Sequence, residues 1–262
     1  LANLALNPEG CFVAEDGGLE GYVFSRRWGR IGWVGTFGVE PQRHGQGIGR
    51  QLLSRAFASL DAAGCRAIGL ETMPDSAYNV GFYARAGFEP ANVTLTFEGH
   101  IAAPAPPAAA WLSDLAPNVG LAAVSAVSRA AVPWLDLAPE ARNALAYGWG
   151  ETLLVGWPEP WATITLRTVP KREGPPASVL EIDALAIRPE AATRLHEALG
   201  AAAAFGAGRG LGTLRVPANA ADWRAVRELL GLGLAVSHVA LRMLRRGRYR
   251  CPRGVELSRW AM

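Results

Sequence analysis

The run His44-Gly45-Gln46-Gly47-Ile48-Gly49-Arg50 sets three glycines at alternate positions just ahead of an apolar helix. Glycine is the poorest ordinary helix former, so a helix that only had to be stable would not begin this way. Bare backbone there lets a ligand come close. A helix N-terminus carries unpaired N–H groups and a partial positive charge, so the ligand that fits is an anion, best a phosphate or pyrophosphate. The flanks agree. "IGWVGTFGVEP" reads as a strand ending at Pro41, and Ile48, Leu52, Leu53, Ala56, Phe57 and Leu60 recur at helical spacing until Gly64 stops the helix.

Two familiar phosphate loops are excluded. A P-loop needs Lys-Ser or Lys-Thr after its last glycine, and the single lysine of the chain is Lys171. The dinucleotide fingerprint G-x-G-x-x-G, begun at Gly45, would end on Arg50. The run instead resembles the acyl-CoA loop of the GNAT acyltransferases, Q/R-x-x-G-x-G/A, with His44 at the position of the Gln or Arg. A second stretch agrees with it. "GLETMPDSAYNVGFYARAGFEP", Gly69 to Pro90, reads as strand, loop, helix and glycine stop, and its Tyr83-Ala84-Arg85-Ala86-Gly87-Phe88 resembles the family's Tyr-x-x-x-Gly-Phe. The resemblance covers residues 11–98.

The resemblance implies acyl transfer from acetyl-CoA to an amine that attacks the thioester directly. The phosphates would lie on His44, Gly45, Gln46, Gly47, Ile48, Gly49 and Arg50. The pantetheine arm would pair with backbone at Phe37 and Val39, in a gap beside a splayed strand. The N–H of Val39 is the candidate oxyanion donor. Tyr83, with a reference pKa of about 10, is protonated at neutral pH and is the candidate acid for the leaving thiolate. Glu40 is the candidate base, with Glu71 as the other. Ser76 and Asn79 are candidate cofactor contacts; the family's Asn falls at Ser76, which also suits an N-cap. Each of these has a plainer reading beside it: Tyr83 as a packing residue, the two glutamates as solvated carboxylates. Of the glycines in the strand before the loop, Gly38 is expected to serve the ligand and Gly32 only packing. No G-x-S-x-G is present and Cys65 sits among apolar residues, so a covalent mechanism is rejected. A non-catalytic acyl-CoA-binding or regulatory protein is the competing function, and a nucleotide-binding module a third.

Composition bounds the class. The chain has 262 residues, half of them apolar, and a net charge of +3, too small to imply nucleic acid. No apolar run could span a bilayer, and no signal peptide is visible. Cys11, Cys65 and Cys251 are odd in number and far apart, which fits a reducing cytoplasm better than a disulfide framework. The four histidines have no ligand spacing, so no metal is expected. Arg242, Arg245, Arg246, Arg248, Arg250 and Arg253 read as a solvated strand edge and tail rather than a binding patch. The expected partner is a small-molecule or peptide amine, with a monomer or homodimer as the assembly.

Strands are expected at 11–15, 19–26, 31–39, 67–71 and 92–98, and helices at 47–64 and about 77–86. The chain opens at Leu1 without methionine, and "LANLALNPEG" reads as the tail of a helix, so residues are expected to precede it. "HIAAPAPPAAAW", 100–111, reads as a linker. Beyond it come helices at about 118–131 and 138–149, strands at 151–157, 161–169 and 178–187, a helix at 190–205, a strand at 211–216, a helix at 220–230 and a strand at 236–244. This order repeats the first half. Leu70 to Gly87 and Leu214 to Gly231 both span 17 positions, whereas Pro41 to Leu70 spans 29 and Pro189 to Leu214 only 25. The deficit falls on the phosphate loop, where "EAATRLH" lacks glycine and Glu190 would repel an anion. Arg227 stands at the offset of Tyr83. The expected fold is α/β (α+β): two tandem GNAT-like domains, each a mixed, mostly antiparallel twisted sheet flanked by helices. An acetyl-CoA-binding domain is expected at 1–99, lacking its first elements, and a degenerate one at 112–262.

Overall fold

The computed structural model describes residues 4, 7–102, 107–169, 178–247 and 253–258. The expected helical tail at the start of the chain falls largely outside them, as do Lys171, Arg248, Arg250 and Cys251. In chain order the elements are β1 (Cys11–Glu15), β2 (Leu19–Trp28), β3 (Ile31–Val39), α1 (Ile48–Ala62), β4 (Ala67–Thr72), α2 (Ala77–Arg85) and β5 (Glu89–Gly99). There follow β6 (Ala109–Trp111), α3 (Pro117–Ala131), α4 (Ala138–Ala146), β7 (Gly150–Val155), β8 (Ala162–Arg167) and β9 (Val179–Ile187). The last are α5 (Leu195–Ala207), β10 (Thr213–Asn219), α6 (Trp223–Gly231), β11 (Ala235–Arg246) and β12 (Val255–Ser258). The mixed, mostly antiparallel sheet flanked by helices is the expected class.

Two compact units form. The described part of the first is residues 4, 7–92 and 240–247; the second holds 93–102, 107–169, 178–239 and 253–258. The expected division at 100–111 differs from this on both sides. Thr94–Gly99 of β5 pairs antiparallel with β10, inside the second unit, and Leu241–Arg246 of β11 pairs antiparallel with β4, inside the first. The "linker" itself contributes β6, which pairs with β7.

In the first unit β1, β2 and β3 form an antiparallel meander, and α1 carries the chain over to β4, parallel to β3. Leu52, Leu53, Ala56, Phe57 and Leu60 of α1 are buried against Val23, Val34, Ile68 and Leu70. Each of the leucines and Phe57 adds roughly 1.5–3 kcal/mol of burial, enough to fix the face that α1 presents to the sheet. Of the β11 arginines, Arg245 and Arg246 are exposed, as the sequence implied, but Arg242 is not. Arg242 is buried and pairs with Glu71, Arg245 lies 4.0 Å over the Phe57 ring, and Arg246 pairs with Asp61 at 2.6 Å. The strand has β4 as a neighbour, so its charges must find partners.

In the second unit α3 and α4 pack beside β7, β8 and β9, and one large core centres on Ile164, Leu180, Ile182, Leu185, Leu199 and Val216. The expected helix at 190–205 begins five residues late, at Leu195, because Pro189 starts a separate 3₁₀ turn, Pro189–Ala191.

Candidate functional site

The site is built where β3 leaves β4. The two strands are parallel and paired only over Ile31–Val34 and Ala67–Leu70, yet β3 runs on to Val39. The cause lies on the other edge of β3. Phe24 of β2 faces Gly35 and Val23 faces Phe37, so Thr36 is an extra residue opposite none, at φ +49°. This is a β-bulge, which bends and twists the strand that carries it. Beyond it Glu40 N–H donates to Glu20 O at 2.7 Å. By the alternation of an antiparallel ladder, the backbone groups of Phe37 and Val39 then face away from β2, into the space that β4 has left. Those are the two residues that the family resemblance assigned to pantetheine.

The loop follows directly. Gly45 and Gly47 have φ of +81° and +83°, and nothing lies within 4 Å of a Cβ built on either. Gly47 is the N-cap of α1, and the first bond of the helix runs from Gln51 N–H to the Gly47 carbonyl at 3.1 Å. Among the described residues, no backbone carbonyl accepts from the N–H groups of residues 45–50. Gln46 and Arg50 are exposed, and Ile48 is half-buried as the first residue of the helix. Gly49 is bare for another reason: a Cβ there would stand 3.1 Å from both the Phe37 and Phe82 rings. Gly38 likewise answers to packing, since its Cβ would meet the Tyr22 ring at 3.1 Å. Gly32 is the packing glycine it was expected to be, against Leu60 and Cys65.

His44 turns back on the strand. Its Nε2 lies 3.0 Å from the Val39 carbonyl oxygen, and its ring stacks on Tyr78 at 6.2 Å between centroids. Tyr83, on α2, sits among Phe37, Phe82 and Phe88 with ring centroids 5.4–6.4 Å away. Its hydroxyl has no hydrogen-bond partner among the described residues. Burial among these rings disfavours the phenolate and pushes its pKa up to about 12. Ser76 is the N-cap of α2, its hydroxyl accepting from Asn79 N–H at 3.3 Å. Asn79 is half-buried one turn before Tyr83.

Of the two candidate bases, Glu40 is exposed at the end of β3, beside the Val39 that His44 holds. Glu71 is not placed to work as a base: its carboxylate is buried and accepts from Arg242 Nε at 2.9 Å. The structure thus gathers Phe37, Val39, the 44–50 loop and Tyr83 around one gap. Sequence reasoning missed Thr36, whose bulge opens that gap, although the broken alternation in "WVGTFGV" was its signal. Phe82 was missed too, for want of any local sign that Gly49 packs on it.

In the second unit most N–H groups of the corresponding turn are internally satisfied. Ala191 N–H donates to the Arg188 carbonyl, Ala192 to Pro189, Arg194 to Ala191 and Ala198 to Arg194. His196 N–H, in the first turn of α5, donates to Glu228 Oε1 at 3.0 Å. Glu228 thus reaches this helix start from α6, Glu197 within the first turn is held by Arg194 at 2.6 Å, and Glu190 is exposed.

Among the described residues no helix is long and apolar enough to cross a membrane, and no group of His, Cys, Asp and Glu could hold a metal ion. Residues 2–88 match the family model described as acetyltransferase (GNAT) family. A Pyrococcus horikoshii structure assigned as an acetyltransferase is similar over 99% of this chain and 82% of its own, with TM-score 0.67 at 15% identity. A GCN5-related N-acetyltransferase from Sphaerobacter thermophilus covers 95% of this chain and 82% of its own, with TM-score 0.55 at 14% identity. A tandem GNAT protein from the clavulanic acid biosynthesis pathway covers 95% and 89%, with TM-score 0.54 at 14% identity. At such identities these structures establish the fold.

Proposed function

We propose that the first unit, whose residues 2–88 match the GNAT acetyltransferase family model in a chain with the fold of solved GNAT structures, moves an acetyl group from acetyl-CoA to an amine. The observation that carries this reading is the parting of β3 from β4 after Val34, followed in the chain by a loop whose N–H groups have no backbone acceptor among the described residues. An extended arm ending in phosphates fits both features at once. Acetyl-CoA supplies the activated carbonyl; the residues supply everything around it.

In this reading the N–H groups of residues 45–50 hold the pyrophosphate, helped by the partial charge of the α1 terminus. The backbone of Phe37 and Val39 pairs with the amide groups of the arm. The N–H of Val39 faces the carbonyl oxygen and stabilises the charge that grows there. As the amine nitrogen bonds to the acyl carbon and the C–S bond breaks, Tyr83 gives its proton to the departing sulfur. Burial keeps the hydroxyl protonated at neutral pH, and the same burial makes it a weaker acid than a free tyrosine, so its hydrogen bond to the sulfur comes before any proton transfer. Glu40, directly or through water, takes the proton that the amine loses. The second unit binds no acetyl-CoA, because its equivalent turn is shortened and lacks glycine, and the N–H groups of Ala191, Ala192, Arg194, His196 and Glu197 are already taken.

Incubating the protein with acetyl-CoA and a library of small amines and peptides, and following release of the free thiol, tests this. Turnover with one amine class supports the enzyme. Tight binding of acetyl-CoA with no turnover across the library would favour the binding-protein reading instead. That alternative draws on the engagement of Glu71 by Arg242, which leaves Glu40 as the lone candidate base.

A further inference from the structure

The two units diverge most where they should be most alike. Aligning Pro41 with Pro189 sets Thr36–Val39 of β3 against Ala184–Ile187 of β9. In the second unit β9 also pairs with its parallel neighbour for a short stretch only, Val179–Glu181 with Thr213–Arg215 of β10. It also carries a bulge there: Thr165 of β8 faces Ala184 and Leu166 faces Ile182, leaving Asp183 as the extra residue. The second unit therefore parts its strands by the same device as the first.

The gap so formed is filled. β12 pairs antiparallel with β9, Val255 with Ile187, Glu256 with Ala186, Leu257 with Leu185 and Ser258 with Ala184, and it also touches β10. Val255 and Leu257 are buried in the core of the unit, while Glu256 and Ser258, buried on the other face, hydrogen-bond to each other. The entry to β12 is fitted closely. Arg224 of α6 donates to the Gly254 carbonyl at 2.8 Å, and a Cβ on Gly254 would collide with the Ile187 carbonyl oxygen at 2.0 Å. At the start of α5, Glu228 supplies an anion.

We propose that the β9–β10 gap of the second unit is a binding site for an extended peptide strand, and that its resident ligand is the chain's own segment 254–258. Together β12 and Glu228 are an internal surrogate for an acyl-CoA molecule. The strand takes the place of the amide-bearing arm and the carboxylate that of the phosphates. A parted strand pair leaves backbone N–H and C=O groups that must be satisfied. The first unit leaves them to a ligand; the second satisfies them with its own chain, by the strand addition that peptide-binding sheets use. The comparison with the first unit rests on the acetyl-CoA reading proposed above, but the occupancy of the second gap does not.

Hydrogen–deuterium exchange on the full chain, with and without acetyl-CoA, reads the two units separately. Segments 184–187, 195–198 and 255–258 are expected to exchange slowly in the free protein and to stay unchanged on adding acetyl-CoA, while 37–50 gains protection. No change at 37–50 alongside slow 184–187 and 255–258 would overturn the acetyl-CoA reading and leave the surrogate standing. Protection of 184–198 by acetyl-CoA, or exchange at 255–258 as fast as in an exposed loop, would overturn the surrogate. A second variant guards against misreading general stability. Gly254→Val, which drives a side chain into the Ile187 carbonyl, should speed exchange at 184–187 by ~10-fold or more and leave α1 unaffected. An unchanged rate at 184–187 in that variant sinks the proposal.

Discussion

Arg242 Nε donates to Glu71 Oε1 across 2.9 Å, joining two side chains 171 positions apart that are only 4% and 1% exposed. Burying two charges is costly, and removing one partner leaves the other uncompensated. Arg242→Ala should therefore destabilise the first unit by ~3–5 kcal/mol, whereas Arg242→Met with Glu71→Met should recover most of the loss. Denaturant unfolding of the wild type and the two variants checks this. A loss below ~1 kcal/mol for Arg242→Ala would mean that the pair is hydrated in solution.

Tyr83→Phe removes the hydroxyl and keeps the ring among Phe37, Phe82 and Phe88. kcat should fall by ~10²-fold or more, the range of a general acid, with acetyl-CoA affinity nearly unchanged. Steady-state kinetics with any accepted amine and calorimetry with acetyl-CoA separate the two quantities. Unaltered kcat would make Tyr83 a packing residue.

The pH dependence has a definite sign. Burial raises the pKa of Tyr83 to about 12, so the proton-bearing form persists through the range in which a free tyrosine would titrate, near pH 10. Its contribution to folding is likewise complete below about pH 10 and lost as pH rises through about 12. The alkaline limb of kcat should therefore not fall at pH 9–10.5. A fall there that disappears in Tyr83→Phe would show that the ring is hydrated in the working enzyme.

Gly47→Glu puts a side chain and a negative charge at the N-cap of α1, at φ +83°, where only glycine is unstrained. Acetyl-CoA binding should be lost, and the wild-type protein should bind one molecule per chain. Calorimetric titration gives both answers. Two molecules per chain, or binding that survives the substitution, would move the site to the second unit. Wild-type protein at 100 times the dissociation constant of acetyl-CoA should gain ~2.7 kcal/mol of stability, and ATP or NAD should add none.

His44 holds the Val39 carbonyl from a position where the family motif has Gln or Arg. His44→Ala frees the end of β3 and should raise KM for acetyl-CoA by ~5–10-fold, since a net hydrogen bond is worth about 1 kcal/mol. His44→Gln, which can donate to the same oxygen, should restore most of it. If both variants behave alike, the contact contributes nothing in solution.

Much of this architecture was legible because its signals are local. The face of α1 announces itself by helical spacing from Ile48 to Leu60, and the meander by its turns at Gly17 and Gly29, both at positive φ. Where legibility failed, the cause was tertiary. Arg242 looks like a surface residue until β4 lies beside it. Glu228 looks like any helix carboxylate until α6 brings it to His196. "VELS" is too short to declare itself a strand, and β6 is hidden in an Ala-Pro run that composition alone reads as a linker. Glycine next to a phosphate loop reads as serving a ligand; that Gly38 and Gly49 also lie tight against the rings of Tyr22 and Phe82 is hidden, because those residues lie elsewhere in the sequence.

The placement of Leu241–Arg246 beside β4 bears on how the protein is made. β4 leaves the ribosome early, but its antiparallel neighbour is translated some 170 residues later. At ~5–20 residues per second, the nascent first unit waits on the order of ten seconds with one edge of its sheet unpaired. During that interval β4 is open to pairing with another chain. A chaperone that shields β4 until Arg246 emerges would raise the yield of folded protein, and slowing translation between β5 and β11 would lower it.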